Sequence, residues 1–181
     1  MTKKADLKDD NYLQHYLRNA KTLVYDKCGF DFDELIIEDE SQEYGACTFR
    51  LNKLKIIFRI SKITPTKTGQ FVTIWKRNNE GVTQPFDFTD EIDFVIISSQ
   101  NEDGRGQFIF PKSVLLDKGI ITGNGKKGKR GIRVYPPWDT ATNKQAEKTQ
   151  LWQTKYFVRI DNNDRTNWNL AKQLLGHDSR D

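Results

Sequence analysis

The residues able to support phosphodiester chemistry are few and unevenly placed. Hydrolysis of such a bond wants paired carboxylates on a divalent metal plus a lysine near the attacking water or the scissile phosphate. Asp93 opens the apolar run Phe94-Val95-Ile96-Ile97 and is the candidate first carboxylate, with Lys112 the nearest lysine on the following segment. An acid followed two residues later by lysine is needed beside it, but that segment reads Gln107-Phe108-Ile109, and Lys112 lies behind Pro111. A neutral Gln does not replace the missing charge around a hard cation. No cofactor is therefore expected, with magnesium or manganese required only if cleavage does occur. Cys28, Cys47, His15 and His177 are too few for a zinc site or a disulfide framework, and no cysteine has an evident histidine base. Gly123-Asn124-Gly125-Lys126-Lys127-Gly128-Lys129-Arg130 matches part of a phosphate-binding P-loop, but Arg130 stands where a Ser or Thr would hold magnesium. The strand-like Ile132-Arg133-Val134-Tyr135 follows in place of a helix, so the stretch reads as a flexible basic loop that grips phosphates without a nucleotide pocket.

Binding is better supplied than catalysis. The 181 residues carry a net charge of only +4, but the charge is segregated. Residues 1–43 sum to −5, 44–79 to +8 with no acid, 80–117 to −6, 118–133 to +6 with no acid, and the remainder to +1. Two acid-free stretches brought together would make a positive face suited to a polyanion. Aromatic residues punctuate the same stretches, and stacking on aromatic faces beside a basic track is how single strands are held. Arg59, Lys62, Lys67, Lys76, Arg77, Lys129, Arg130 and Arg133 are the expected phosphate contacts, and Tyr135 and Trp138 the expected stacking residues. Tyr135 shares strand parity with Arg133, which puts both on one face. The acidic run Glu38, Glu40 and Glu43 reads as a solvated loop.

The elements that would position these groups follow from periodicity. Leu13, Tyr16, Leu17, Ala20, Leu23 and Val24 recur at helical spacing, predicting a helix from about Asn11 to Lys27 stopped by Cys28-Gly29. Leu54, Ile56, Phe58 and Ile60 alternate with Lys53, Lys55, Arg59 and Ser61, a strand with one core face and one basic face. With a turn over Thr64–Gly69, residues 44–77 read as a three-strand antiparallel meander. Ile92–Ile97 reads as a strand buried on both faces, paired with Gln107–Phe110 across Asp103-Gly104. Lys112–Lys118 is a short helix, Ile132–Tyr135 a strand, Thr142 with Gln145 a capping box opening a helix to Gln153, and Thr166–Leu175 a last helix capped by Gly176. The order gives an α+β domain, a mixed β-sheet flanked by α-helices, over 11–176, with a flexible N-terminus at 1–10 and a polar tail at 177–181. Residues 1–10 lack the apolar core of a signal peptide, and no apolar run exceeds four residues, so no membrane span is expected.

Longer strings carry a resemblance. Arg59 to Val72 continuing to Trp75-Lys76-Arg77, Phe108 to Lys112, Gly128 to Asp139, and Gln150 to Phe157 together resemble the MepB-like family, in blocks spanning about Tyr44 to Phe157. The resemblance implies a small bacterial, cytoplasmic protein of a multidrug resistance locus, with a fold similar to PD-(D/E)XK endonucleases. There a helix precedes a three-strand meander, an arrangement the periodicity here agrees with. The missing acid-x-lysine step means that the resemblance supports a nucleic-acid-binding surface more than cleavage. The expected function is thus binding of nucleic acid, single-stranded or flexible RNA or DNA, on a restriction-endonuclease-like core. Two alternatives stay open: a metal-dependent nuclease using Asp93 with Lys112 or Lys62, and a small-molecule sensor or protein adaptor with Trp75, Trp138 and Trp152 lining a pocket.

Overall fold

The computed structural model describes residues 3–4, 12–160 and 164–176, with side chains over 15–160 and 164–176. The tail at 177–181, His177, and residues 1–10 apart from Lys3–Lys4 lie outside the described residues. The first helix, α1 (Tyr12–Ala20), runs through a π turn at Lys21–Tyr25 into α2 (Asp26–Cys28) and stops at Gly29, whose φ of 73° is left-handed. Tyr16, Leu17, Ala20, Val24 and Tyr25 are buried, as the helical spacing requires for an amphipathic helix lying on a sheet.

That sheet has seven strands in the order β1-β2-β3-β4-β9-β10-β12. The strands are β1 (Lys3–Lys4), β2 (Phe32–Ile37), β3 (Cys47–Leu51), β4 (Leu54–Ile60), β9 (Phe94–Asn101), β10 (Gly104–Pro111) and β12 (Phe157–Arg159). All neighbours are antiparallel except β4 and β9, which run parallel from Ile56↔Phe94 to Ile60↔Ser98. A second sheet, ordered β11-β6-β5, comprises β5 (Lys62–Thr64), β6 (Lys67–Thr73) and β11 (Gly131–Val134), and a small ribbon pairs β7 (Lys76–Arg77) with β8 (Thr83–Gln84). The remaining helices are α3 (Lys112–Asp117), α4 (Lys144–Gln153) and α5 (Arg165–Leu175). The expected α+β class, a mixed sheet with flanking helices, is what is observed. Among the described residues no helix is long and apolar enough to cross a membrane.

The three-strand meander is shifted along the chain. It is β2-β3-β4, whereas β6 leaves β4 and pairs with β11. Val95, Ile96 and Ile97 are all fully buried, and a strand apolar on both faces must sit inside a sheet. β9 therefore takes the place beside β4. The chain between β4 and β9 carries β5 to β8, the chain between β10 and β12 carries α3, β11 and α4, and the two excursions join where β6 pairs with β11.

Three layers result. Ile56, Phe58, Ile60 and Ile96 pack with α1, α2 and α5, while Ile57, Val95, Ile97, Phe108 and Phe110 pack under Val72, Ile132, Val134 and Leu115. Both faces of β4 are thus covered from Ile56 onward, which overturns the exposed basic face expected there, although Lys53 is exposed and Lys55 half-exposed at its open end. Arg59 is only 1% exposed and Ser61 7%.

Candidate nucleic-acid interface

The joined excursions enclose a cleft of about 800 Å³ between β6, β11 and α4. Each wall is fixed by local chemistry. In β11 one edge pairs with β6, bringing Arg133 opposite Phe71. Its other edge is capped by a side chain: the buried Gln153 amide accepts from Tyr135 N at 2.8 Å and donates to Arg133 O at 2.9 Å, mimicking a neighbouring peptide group. α4 begins at an Asn143 cap, whose side chain accepts from Ala146 N at 2.9 Å, so Asn143 and not Thr142 opens the helix. Thr142, Asn143, Gln145 and Ala146 line the cleft with the positive end of that helix.

The glycine and lysine stretch is ordered by backbone bonds, where a flexible loop was expected. Gly123 and Lys126 exchange hydrogen bonds of 3.0 and 2.9 Å across Asn124 and Gly125, both at positive φ, a tight hairpin turn. Gly128 N donates to Thr122 Oγ1 at 2.9 Å, and Lys129 N to Ile120 O at 2.8 Å. A Cβ at Gly128 would lie 2.6 Å from both Ile120 O and Thr122 N, so only glycine lets the strand lie this close and fix where Lys129 emerges. A turn here and a strand after it also exclude a P-loop cradle.

Lys67, Lys118, Lys129 and Arg133 line the cleft, and no carboxylate does. Among the described residues, neither Lys67 nor Lys129 forms an ion pair. Arg133 donates only to neutral oxygens, those of Thr68 and Gly69 at 3.2 Å and Thr64 Oγ1 at 2.7 Å. Lys118 bonds Asp117 at 3.2 Å, outside the lining, and sits 5.8 Å from the centre of the Trp152 ring. Tyr135 and Trp152 give the walls aromatic surface. Tyr135 packs against Gly69, where even a Cβ would come within 2.7 Å of the ring, and Trp152 lies 5.3 Å from Phe110. Just beyond Trp138, burial raises the carboxyl pKa of Asp139, with the Gly69 N–H partly opposing it.

Of the predicted residues, the fold gathers Lys67, Lys129, Arg133 and Tyr135 here and disperses the rest. Arg59 is buried, with two 3.2 Å bonds to the Glu38 carboxylate and one of 2.8 Å to Phe58 O, so it is no phosphate contact. Lys76 is paired with Asp90, and Arg77 with Glu40. Glu38 and Glu40 are therefore structural partners, not a solvated run. Arg130 donates to Thr83 O at 3.2 Å, and Lys62 lies 4.6 Å from the centre of the Tyr44 ring. Trp138 sits apart, T-shaped on Phe157 and beside Arg159. Trp75 stacks under Arg77, so the three tryptophans do not share the cleft. Lys118 and Trp152 were missed as a pair; their signal is an acid-free stretch ending a short helix and an aromatic on the helix that follows.

Asp93 and Lys112 do meet at adjoining strand ends, where Lys112 N donates to Asp93 O at 3.0 Å. Their side chains serve other partners. Asp93 Oδ2 accepts from Lys55 N at 2.8 Å, and Lys112 Nζ donates to Asp90 O at 2.6 Å. Among the described residues no three His, Cys, Asp or Glu side chains converge as metal ligands would.

The MepB-like family profile matches residues 38–159, which takes in β3 to β12 and every wall of the cleft. The chain belongs to the MepB-like family. A crystal structure described as that of MepB is 38% identical and superposes with a TM-score of 0.70 over 73% of this chain and 89% of that one. None of the curated proteins matches. The MepB-like core thus comprises the large sheet from β3 onward with both excursions, and leaves α1 outside the matched range.

Proposed function

We propose that this MepB-like protein binds single-stranded or flexible nucleic acid in the cleft, on an endonuclease-like scaffold without competent cleavage. The observation that carries the reading is four cations and no carboxylate lining a cavity that also presents Tyr135 and Trp152. Phosphates supply affinity through such cations, and unpaired bases find faces to stack on. Specific reading of a duplex uses a helix or ribbon entering the major groove, and the cleft is concave and offers neither. The β2-β3-β4 meander within a mixed sheet supports the endonuclease-like reading of the scaffold. A cytoplasmic setting accords with Cys28 and Cys47 both being free thiols.

Fluorescence anisotropy with labelled single-stranded RNA, single-stranded DNA and duplex tests this. Single strands should bind more tightly than duplex at low salt. Lys67→Ala with Lys129→Ala should abolish most of that binding, and Lys76→Ala should not. Duplex preference, or binding indifferent to the cleft pair, would refute the proposal. Incubation with magnesium or manganese addresses cleavage: strand scission lost in Asp93→Asn would overturn the non-cleaving part alone.

A further inference from the structure

We infer that the cleft is matched to a terminal phosphate monoester on a nucleotide unit, with its base against Tyr135 or Trp152, and not to an internal run of phosphodiesters. This rests on the nucleic-acid reading and specifies which part of the strand occupies the site. The argument is one of charge against space. The cleft, open to solvent on one side, has a volume of about 800 Å³, in the range of small-ligand sites, roughly 300–1,000 Å³, and so has room for a short unit of chain. Into it project Lys67, Lys118, Lys129 and Arg133. An internal diester carries one negative charge per nucleotide, so four of them distribute the matching charge along an extended strand. A terminal monoester concentrates about −1.5 to −2 on one group near neutral pH.

The cations are also available. Lys67 and Lys129 have no ion-pair partner among the described residues, and the three bonds from Arg133 go to neutral oxygens that hold its fork without cancelling its charge. Lys118 alone shares its charge, with the largely exposed Asp117. A compact dianion meeting several such groups makes hydrogen bonds in which donor and acceptor are both charged, which a neutral hydroxyl end does not.

The chemistry has two sources, a phosphorylated strand end or a free nucleotide, and competition separates them. Short labelled single strands of one sequence would be prepared with 5′-hydroxyl, 5′-phosphate and 3′-phosphate ends, with adenosine triphosphate as competitor. A phosphorylated end should bind at least ~10-fold more tightly than the hydroxyl form, the scale of one charge-assisted bond. That advantage should collapse in Lys129→Ala and persist in Lys129→Arg, with both variants melting as the parent does. Equal affinity for all ends overturns this inference and leaves single-strand binding standing. Adenosine triphosphate binding as tightly as the phosphorylated strand supports the terminal-phosphate site and overturns the strand as its source. No binding by any probe at low salt overturns both.

Discussion

Salt dependence distinguishes the cleft from the longer list of cations that the chain advertises. Each single-strand phosphate neutralised contributes about −0.7 to the slope of log K against log salt. Eight contacts, the number of basic residues singled out from sequence, would give about −5.6. The structure leaves four cations in the cleft, Lys67, Lys118, Lys129 and Arg133, and a terminal monoester gathered among them carries about two charges, which gives about −1.4. Between about 50 and 200 mM salt the two cases differ plainly: affinity falls about 7-fold for the single monoester and about 2,000-fold for eight contacts. The assay is anisotropy titration of a short 5′-phosphorylated single strand at several salt concentrations. Lys67→Ala with Lys129→Ala should flatten the slope further, whereas Lys76→Ala with Arg77→Ala should leave it unchanged, because those two are paired with Asp90 and Glu40. A slope near −5.6, or one that the Lys76 and Arg77 substitutions reduce and the cleft substitutions do not, would refute the reasoning.

Other substitutions probe how the cleft is held. Gln153→Leu leaves Arg133 O and Tyr135 N without partners at a buried edge, and two such orphans cost ~1–3 kcal/mol each, read as a lowered urea midpoint; Gln153→Glu should restore only the bond from Tyr135. Gly128→Ala should destabilise by ~1–3 kcal/mol and weaken binding, since the backbone of residues 120–122 blocks the new methyl; an unchanged melting temperature would contradict the packing. Arg59→Met removes one partner of a buried pair, a loss of ~3–5 kcal/mol; Glu38 keeps 27% exposure and rehydrates, so urea unfolding should show the lower end of that range, with the salt slope intact. For Asp139 the folded pKa is raised above the unfolded one, so its ionisation in the unfolded chain disfavours folding as pH rises through the window between the two values. Asp139→Asn should therefore raise the melting temperature at neutral pH and lose that advantage in acid below the ordinary carboxylate range.

The fold was legible wherever one period dominated. The helix at Tyr12 to Cys28, the β9–β10 hairpin, the short α3 and the last helix all stand within a few residues of their expected places. What periodicity does not encode is the number of layers. Alternation over Lys53–Ser61 states that Ile56, Phe58 and Ile60 share a face, but it is silent on whether a second sheet covers the opposite one. That omission misplaced Arg59. It also left the partner of β6 open, because pairing with β11 joins positions about 60 residues apart, and local sequence carries no such register. The site was legible as composition and not as geometry: acid-free stretches flag Lys67, Lys129 and Arg133, but equally Lys76 and Arg77, whose neutralising acids come from Asp90 and Glu40 in the adjoining acidic segments.

The fate of each charge also bears on binding against cutting. Asp93 holds Lys55 N, Asp90 holds Lys76 and Asp87 N, and Lys112 holds Asp90 O, so the groups of catalytic type are engaged in fastening strand ends and turns. Lys67 and Lys129 carry no such duty, and Arg133 is held by neutral oxygens with its charge intact. Like charges facing one cavity repel, and that repulsion is relieved only when an anion enters. The fold thus occupies Asp90 and Asp93 with structural bonds and leaves Lys67, Lys129 and Arg133 without an acidic partner among the described residues, which supports the proposed reading of the cleft as a receptor for a polyanion.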